Sequence, residues 1–580
     1  MSGICGWVGE SAPETLARML AAIDYRGDRR DTLCLPGFSL GYRFWVGRPN
    51  KAQAIFEDET QAVACAGTFA PAVESPAEIV GERLRASPAS IAELDGAFAF
   101  AHWDKQARVL TLGRDAFGVR SLYYLEHEGT FYFATELKQL LAIPGLPVAI
   151  DAAALHKYLT FSFVPGEAVP IRGVRRLMPG STLRLERGRA VATPYFRLLE
   201  RVDESLRDSK AAVRMIRRLG REAVARRLLD HEQVGLFLSG GLDSSSIAVW
   251  LKQCGADARV FSLDFGEHSV EREQAREVAR AVGFEQIWVP VTGERIAAVF
   301  DEVVHRLDLP FGDPVTAPQY LLGQAAREAG LNAVFNGEGG DQLFGGWTSK
   351  PMIAAEVYAG LYESDATSRE ERYLRSYHRF YGFEEALYTE AFRAEIGPPG
   401  QRRAQLTPYL SEVGESFLHR IRLADISLKG SQNILPRAER MANGWGLDVR
   451  TPFFDRELAE AAFRLPPELK LHGACEKYVL KLAMQSELPH DIVWQKKFGM
   501  SVPITDFLMT EPLLGLVEDH LGDAAVRKRG LFRPEFVSAL RAGQVAPGET
   551  RRRRVGERLW TLLVLEAWLR RFVDGRGVRA

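Results

Sequence analysis

The chain reads as two units of different class, an antiparallel β-sandwich followed by a doubly wound α/β domain built on a parallel sheet. Three observations predict this. At 580 residues the chain is too long for one hydrophobic core. Its first part carries short apolar runs bounded by Gly and Asp turns. Beyond about residue 200, strand-like and helix-like segments alternate, which is the pattern of a parallel sheet with crossover helices.

Taken in order, the runs Ala62–Ala66, Ala97–Ala101, Val109–Leu112 and Phe131–Ala134 predict strands of the sandwich. Pro194 and the charged, weakly apolar stretch Tyr195–Ser209 mark the boundary, giving units 1–200 and 201–580. A helix over Lys210–Leu229 leads into the strand Val234–Leu238. A Gly-rich loop follows, then a helix through Ile247–Leu251. The strand Ala258–Leu263, a helix over Glu271–Val282 and the strand Ala333–Phe335 continue the rhythm. From Met352 onward the pattern is mostly helical and is expected to wrap the sheet. No internal repeat or low-complexity segment interrupts it.

Composition narrows the function classes. The apolar fraction of 46% and charged fraction of 26% are those of an ordinary soluble protein. A formal charge of -1 gives no overall pull toward nucleic acid or an anionic membrane. The basic run Arg551–Arg554 is the local exception and reads as a solvated face, with a docking patch for an acidic partner as the alternative. Cys5, Cys34, Cys65, Cys254 and Cys475 lie far apart, without C-x-x-C or zinc spacing. No signal-peptide pattern and no apolar run of about 18 residues is present, so a cytoplasmic protein without a membrane span is expected.

Two loops carry the chemistry. Ser239-Gly240-Gly241-Leu242-Asp243-Ser244-Ser245 follows a buried-type strand and opens a helix. Paired glycines let backbone approach an anion, and the helix start offers free N–H groups and partial positive charge. The hydroxyls of Ser239, Ser244 and Ser245 add donors. Asp243 would repel a bare phosphate, but suits a Mg²⁺ ion held between carboxylate and phosphates. The Walker pattern G-x-x-x-x-G-K-[ST] is absent from this loop. Asn336-Gly337-Glu338-Gly339-Gly340-Asp341-Gln342-Leu343-Phe344-Gly345-Gly346 follows the third strand, so it should face the first loop across the crevice. There Asp341 can give magnesium a second carboxylate, and Glu338 is a candidate general base for an attacking amine. The plainer accounts are a strand–helix turn and a helix cap, which leave the acidic residues and the five glycines unexplained.

With these residues the chain resembles the asparagine synthetase superfamily. The likeness extends through Arg440–Asp455, Glu476-Lys477 and the closing Leu559–Trp568, and in the first part through Leu94–Phe100 and Gly113-Arg114-Asp115. It implies an Ntn-hydrolase-like, class II glutamine amidotransferase-like first domain with flanking helices, then a PP-loop synthetase domain. The implied chemistry is adenylation of a carboxylate by ATP–Mg²⁺, followed by attack of nitrogen to give amide, AMP and pyrophosphate. By position, Asp243 and Asp341 would hold magnesium, and Glu338 and Lys477 would be catalytic. Leu236, Ser262 and Gly337 would border adenine, and Lys496 and Lys497 are weaker phosphate candidates. For Lys477 a surface helix lysine is the plain alternative.

The first domain departs from the family. Ser2 stands where glutamine-dependent members carry Cys, and Cys5 lacks an adjacent free amine. The glutamine-gripping Asn-Gly-Glu is Ala66-Gly67-Thr68 here, and the RGPD-like turn is Arg26-Gly27-Asp28. Asp115 is kept, but is equally accounted for as a turn residue. The expectation is a degenerate glutaminase and an amine carried by the substrate. Among such members the chain looks most like a lasso peptide macrolactam synthetase, which implies a precursor or core peptide as partner, with a leader peptidase and a leader-recognition protein. An ammonia-dependent asparagine synthetase or another small-molecule amide synthetase, such as a β-lactam synthetase, is the runner-up. A non-catalytic scaffold is the third reading.

Overall fold

The computed structural model describes residues 2–45, 55–346, 352–354, 368–377, 379–397, 400–410, 416–495, 502–544 and 552–575. Among these, two antiparallel sheets form the first part. One runs in the order Arg175–Arg176, Tyr123–His127, Thr130–Ala134, Gly3–Val8, Phe38–Phe44, Arg29–Leu35. The other runs Arg189–Pro194, Ser181–Glu186, Val109–Arg114, Gly96–Asp104, Gln61–Phe69, Ile55–Glu57. Small and large side chains interdigitate between them, with Ala62, Ala64, Ala66, Ala99 and Ala101 set against Phe38, Trp103, Phe131 and Phe133. The alanines permit close approach and the rings fill the remaining volume. Each sequence-predicted strand of this part is present. The added strands, such as Gly3–Val8 and Arg29–Leu35, contain glycine or charge and lack a clear apolar run.

The second part is built on a parallel sheet in the order Glu285–Pro290, Asp257–Asp264, Gln233–Phe237, Ala333–Phe335, Asp448–Arg450. Helices Ser209–Ala225, Leu242–Gln253, Arg272–Val282 and Thr316–Glu328 occupy the connections. Trp250, Ala248 and Val249 pack with Ile216 and Ala223 beneath the sheet. The C-terminal helix Arg552–Leu569 buries Trp560 and Trp568.

The two parts share one core. Tyr158 and Phe161, from the helix Ala152–Phe161, pack in the same apolar cluster as Phe300, Leu321 and Leu559. The Tyr158 hydroxyl donates to the Thr561 carbonyl at 2.8 Å. A buried ion network crosses the same junction: Arg26 and Arg120 both engage Glu439, Arg26 and Lys138 engage Glu136, and Arg440 reaches Asp308 at 3.3 Å. No described helix is long and apolar enough to cross a membrane.

Candidate active site

Sheet order places the site. From Gln233–Phe237 the next two strands are added on one side, then the chain restarts on the other side with Ala333–Phe335. The crevice at the carboxyl ends of those two neighbours is where α/β sheets bind ligands. The two predicted loops meet there and border a cavity of ≈ 670 Å³.

Close packing requires their glycines, Gly240 against the helix Arg272–Val282 and Gly340 against the first loop. Gly240 has φ +85°, and a Cβ on it would lie 2.6 Å from the Ala275 nitrogen. A Cβ on Gly340 would lie 2.3 Å from the Asp243 carboxyl carbon. The loops therefore touch backbone to side chain, and any other residue would separate them. Within the first loop, the Gly241 N–H donates to Ser239 Oγ and Ser244 Oγ donates to the Gly241 carbonyl, each at 3.2 Å.

Lys477 closes the acidic pair. Its Nζ lies 2.5 Å from Asp243 Oδ2 and 2.5 Å from Asp341 Oδ1. It caps the short helix Tyr478–Met484 from a left-handed backbone at φ 57°, and it is 3% exposed. Burial disfavours its ammonium, but the Asp243 and Asp341 carboxylates outweigh that and hold its pKa above the ordinary lysine value. The surface-lysine alternative is thereby overturned. Asp243 Oδ1 is buried and accepts no hydrogen bond from any described group. Two carboxylates beside a phosphate-type loop, one with an unused oxygen, fit Mg²⁺ bound together with phosphate oxygens.

Glu338 faces the other side of the cavity. It takes a hydrogen bond from Gln319 Nε2 at 3.2 Å and an ion pair from Arg437 at 3.4 Å. Arg437 also holds Asp313 at 2.6 Å and donates to Gln319 Oε1 at 3.1 Å. Burial raises the Glu338 carboxyl above the ordinary carboxylate range; Arg437 opposes this, while Asp313 and Asp341 add to it. A carboxylate so placed is a stronger base than an exposed one, which suits proton uptake.

The structure brings Ser239, Gly241, Asp243, Ser244, Ser262, Gly337, Glu338, Asp341 and Lys477 to one cavity. Ser262 donates to the Leu238 carbonyl at 2.8 Å on its wall. The Leu236 side chain is fully buried in the core beneath the sheet, which leaves only its backbone for the expected adenine contact, and Phe237 and Leu238 border the cavity. Gly240 and Ser245 also stand behind the lining, Ser245 fully buried on the helix. Lys496 and Lys497 lie outside the described residues. Of the basic run, Arg554 is half-buried and borders the cavity; Arg551 and the side chains of Arg552 and Arg553 lie outside what is described. Sequence reading missed Asp313, Gln319, Arg379, Lys429, Asn433 and Arg437. Arg437 is three residues before the quoted Arg440, on the same helix Leu435–Asn443, and helical spacing from Arg440 was the available signal.

In the first part, the positions that the family resemblance singles out lie as follows. Ala66 is fully buried between the sheets, and Arg26 is spent on Glu136 and Glu439. Cys5 is fully buried, and burial pushes its thiol well above the ordinary range despite a hydrogen bond with Gln139. Asp115 accepts the Val119 and Arg120 N–H groups at 2.9 Å, as a turn anchor does, and burial pushes its carboxyl up to about 6. Ser2 is buried and shares a hydrogen bond with Tyr42.

Comparison with known proteins agrees with this layout. The model of the asparagine synthase family matches residues 215–570, and that of a glutamine amidotransferase domain matches residues 74–196. The chain is 28% identical over 507 residues to glutamine-hydrolyzing asparagine synthetase 1 of Bacillus subtilis (strain 168), covering 82% of this chain and 77% of that one. It is 28% identical over 432 residues to asparagine synthetase 3 of the same organism, with 70% and 67% covered. To asparagine synthetase B of Escherichia coli (strain K12) it is 24% identical over 430 residues, with 71% and 61% covered. The chain belongs to the asparagine synthase family, ATP-dependent ligases that form AMP and pyrophosphate.

Proposed function

We propose that the chain is a macrolactam synthetase that joins an Asp or Glu side chain of a peptide to that peptide's own N-terminal amine, as in lasso peptides. The observation that carries this reading is the first part of the chain. Arg26 is locked into the junction, Ala66 is packed in the sandwich, and Cys5 is an inert buried thiol. The cavity keeps its phosphate loop, its acidic pair, Lys477 and Glu338. A site that activates carboxylates but has no glutamine grip suits an amine that arrives on the substrate.

ATP with Mg²⁺ supplies the adenylate leaving group and the charge to hold it. The loop at Ser239–Ser244 orients the phosphates through N–H and hydroxyl donors. Asp243 and Asp341 would hold the metal. Lys477 places positive charge where negative charge develops on the transferring groups. Glu338 takes the proton of the attacking amine as the C–N bond forms and AMP departs. Holding amine and activated carboxyl on one chain makes the attack effectively unimolecular. The precursor peptide, a leader peptidase and a leader-recognition protein are the partners this reading requires.

The second reading, an ammonia-dependent asparagine synthetase or other small-molecule amide synthetase, is favoured by the names of the relatives. One experiment separates them. Purified enzyme is given ATP–Mg²⁺ with a leaderless core peptide, or with aspartate and ammonia or glutamine. The macrolactam reading expects a peptide product lighter by one water, AMP release, and no change in the Ser2→Ala variant. Rapid asparagine formation without peptide turnover would sink it.

A further inference from the structure

Part of the cavity lining comes from one irregular helix. Asp425–Ile434 is π-helical and runs directly into the α-helix Leu435–Asn443. Such wide turns recur at functional sites. Here Lys429, Asn433 and Arg437, four residues apart, all border the cavity.

Two polar neighbours in this turn show what a structural role looks like. Ser431 Oγ donates to the Ile426 carbonyl at 2.9 Å, and Gln432 Nε2 donates to the Ser427 carbonyl at 2.9 Å, which satisfies the widened backbone. Gln432 Oε1 in turn accepts from the Gly166 N–H and from Arg176, both at 2.7 Å, pinning the turn to the first part of the chain. Asn433 differs. It is 3% exposed, it borders the cavity, and its buried Oδ1 accepts no hydrogen bond from any described group. An orphaned buried amide oxygen costs about 1–3 kcal/mol, so a native protein tolerates one where a ligand completes it.

The chemistry of the position specifies the ligand. The charged side chains beside it, Arg437, Asp313 and Glu338, are paired with one another. Asn433 is neutral, and a carboxamide pairs with a peptide group, acceptor to N–H and donor to C=O. Resting on the amide-synthetase reading, we infer that Asn433 is a specificity-determining residue that hydrogen-bonds a main-chain amide flanking the carboxylate to be activated, so the site takes peptide-embedded Asp or Glu in preference to the free amino acid. Lys429 and Arg437 flank that hydrogen bond, and the π-turn sets Asn433 between them.

The test is carboxylate-dependent ATP–pyrophosphate exchange by the full-length enzyme with four probes. These are free aspartate, N-acetyl-aspartate N-methylamide, and the two analogues in which one or the other flanking N–H is replaced by an ester oxygen. With the native enzyme, one ester analogue is expected to fall about 10- to 100-fold in kcat/KM against the diamide. In Asn433→Leu the diamide is expected to fall to that level, the ester discrimination to vanish, and KM for ATP to stay unchanged. The ester comparison uses the native enzyme, so it stands even if the variant does not fold. Esters matching the diamide within about threefold would overturn the inference. Exchange with aspartate alone would overturn it while leaving a small-molecule amide synthetase standing. Exchange with none of the four would overturn both readings together.

Discussion

Replacing Lys477 by Met tests the centre of the site. The perturbation removes an ammonium that touches two carboxylates at 2.5 Å each. At an effective dielectric of about 20, each contact is worth about 6–7 kcal/mol before desolvation is subtracted. Desolvation of the three groups offsets most of that, and removing one partner of a buried ion pair costs about 3–5 kcal/mol. The Lys477 side chain is 4% exposed, but Asp243 keeps 19% and Asp341 27%, so water relieves part of their repulsion and the loss should fall near 3 kcal/mol. The assay is denaturant unfolding of native and Lys477→Met protein, with and without Mg²⁺ and no nucleotide. The variant should be less stable, and Mg²⁺ should restore it more than it stabilises the native chain, because a divalent cation can replace the ammonium between the carboxylates. Turnover should fall about 10²- to 10³-fold. The raised lysine pKa means this stabilisation is complete below about 10.4 and is lost only as pH climbs through the folded-state value. Equal stability of the two proteins, with equal response to Mg²⁺, would refute the claim that Lys477 holds the pair together.

Other substitutions probe different parts of the argument. Glu338→Gln should lower product formation about 10²- to 10⁴-fold while ATP–pyrophosphate exchange persists, because the base acts on the amine. In the native enzyme the acid limb of the rate profile should lie above about 4.3, since the folded-state pKa is raised and the base works only when deprotonated. Glu439→Leu leaves Arg26 and Arg120 buried without their shared carboxylate, so denaturant unfolding should register a loss of about 3–5 kcal/mol.

Much of the architecture was legible because strands and helices are written in local periodicity. Ala333–Phe335 and the helix ending at Val282 stand where their apolar patterns place them. Glu285–Pro290 and Asp448–Arg450 were not legible: one begins with polar residues and the other is Asp-Val-Arg, and both are strands because neighbours pair with them. Tertiary pairing there overrides weak local preference.

The same division holds in the site. By itself the sequence determined that a phosphate-type loop and an acidic loop exist, since glycine spacing and strand–loop–helix order are local properties. It also determined that Ala66-Gly67-Thr68 offers neither a carboxylate nor an amide side chain. Only the tertiary structure decided that Lys477 spans Asp243 and Asp341, that the Leu236 side chain is buried in the core, and that Arg554 borders the cavity. Lys477 and Asp243 are 234 residues apart. No periodicity records such a contact. It arises when a turn outside the parallel sheet, between Cys475–Glu476 and the helix Tyr478–Met484, packs against the two loops and burial makes each charge find a partner.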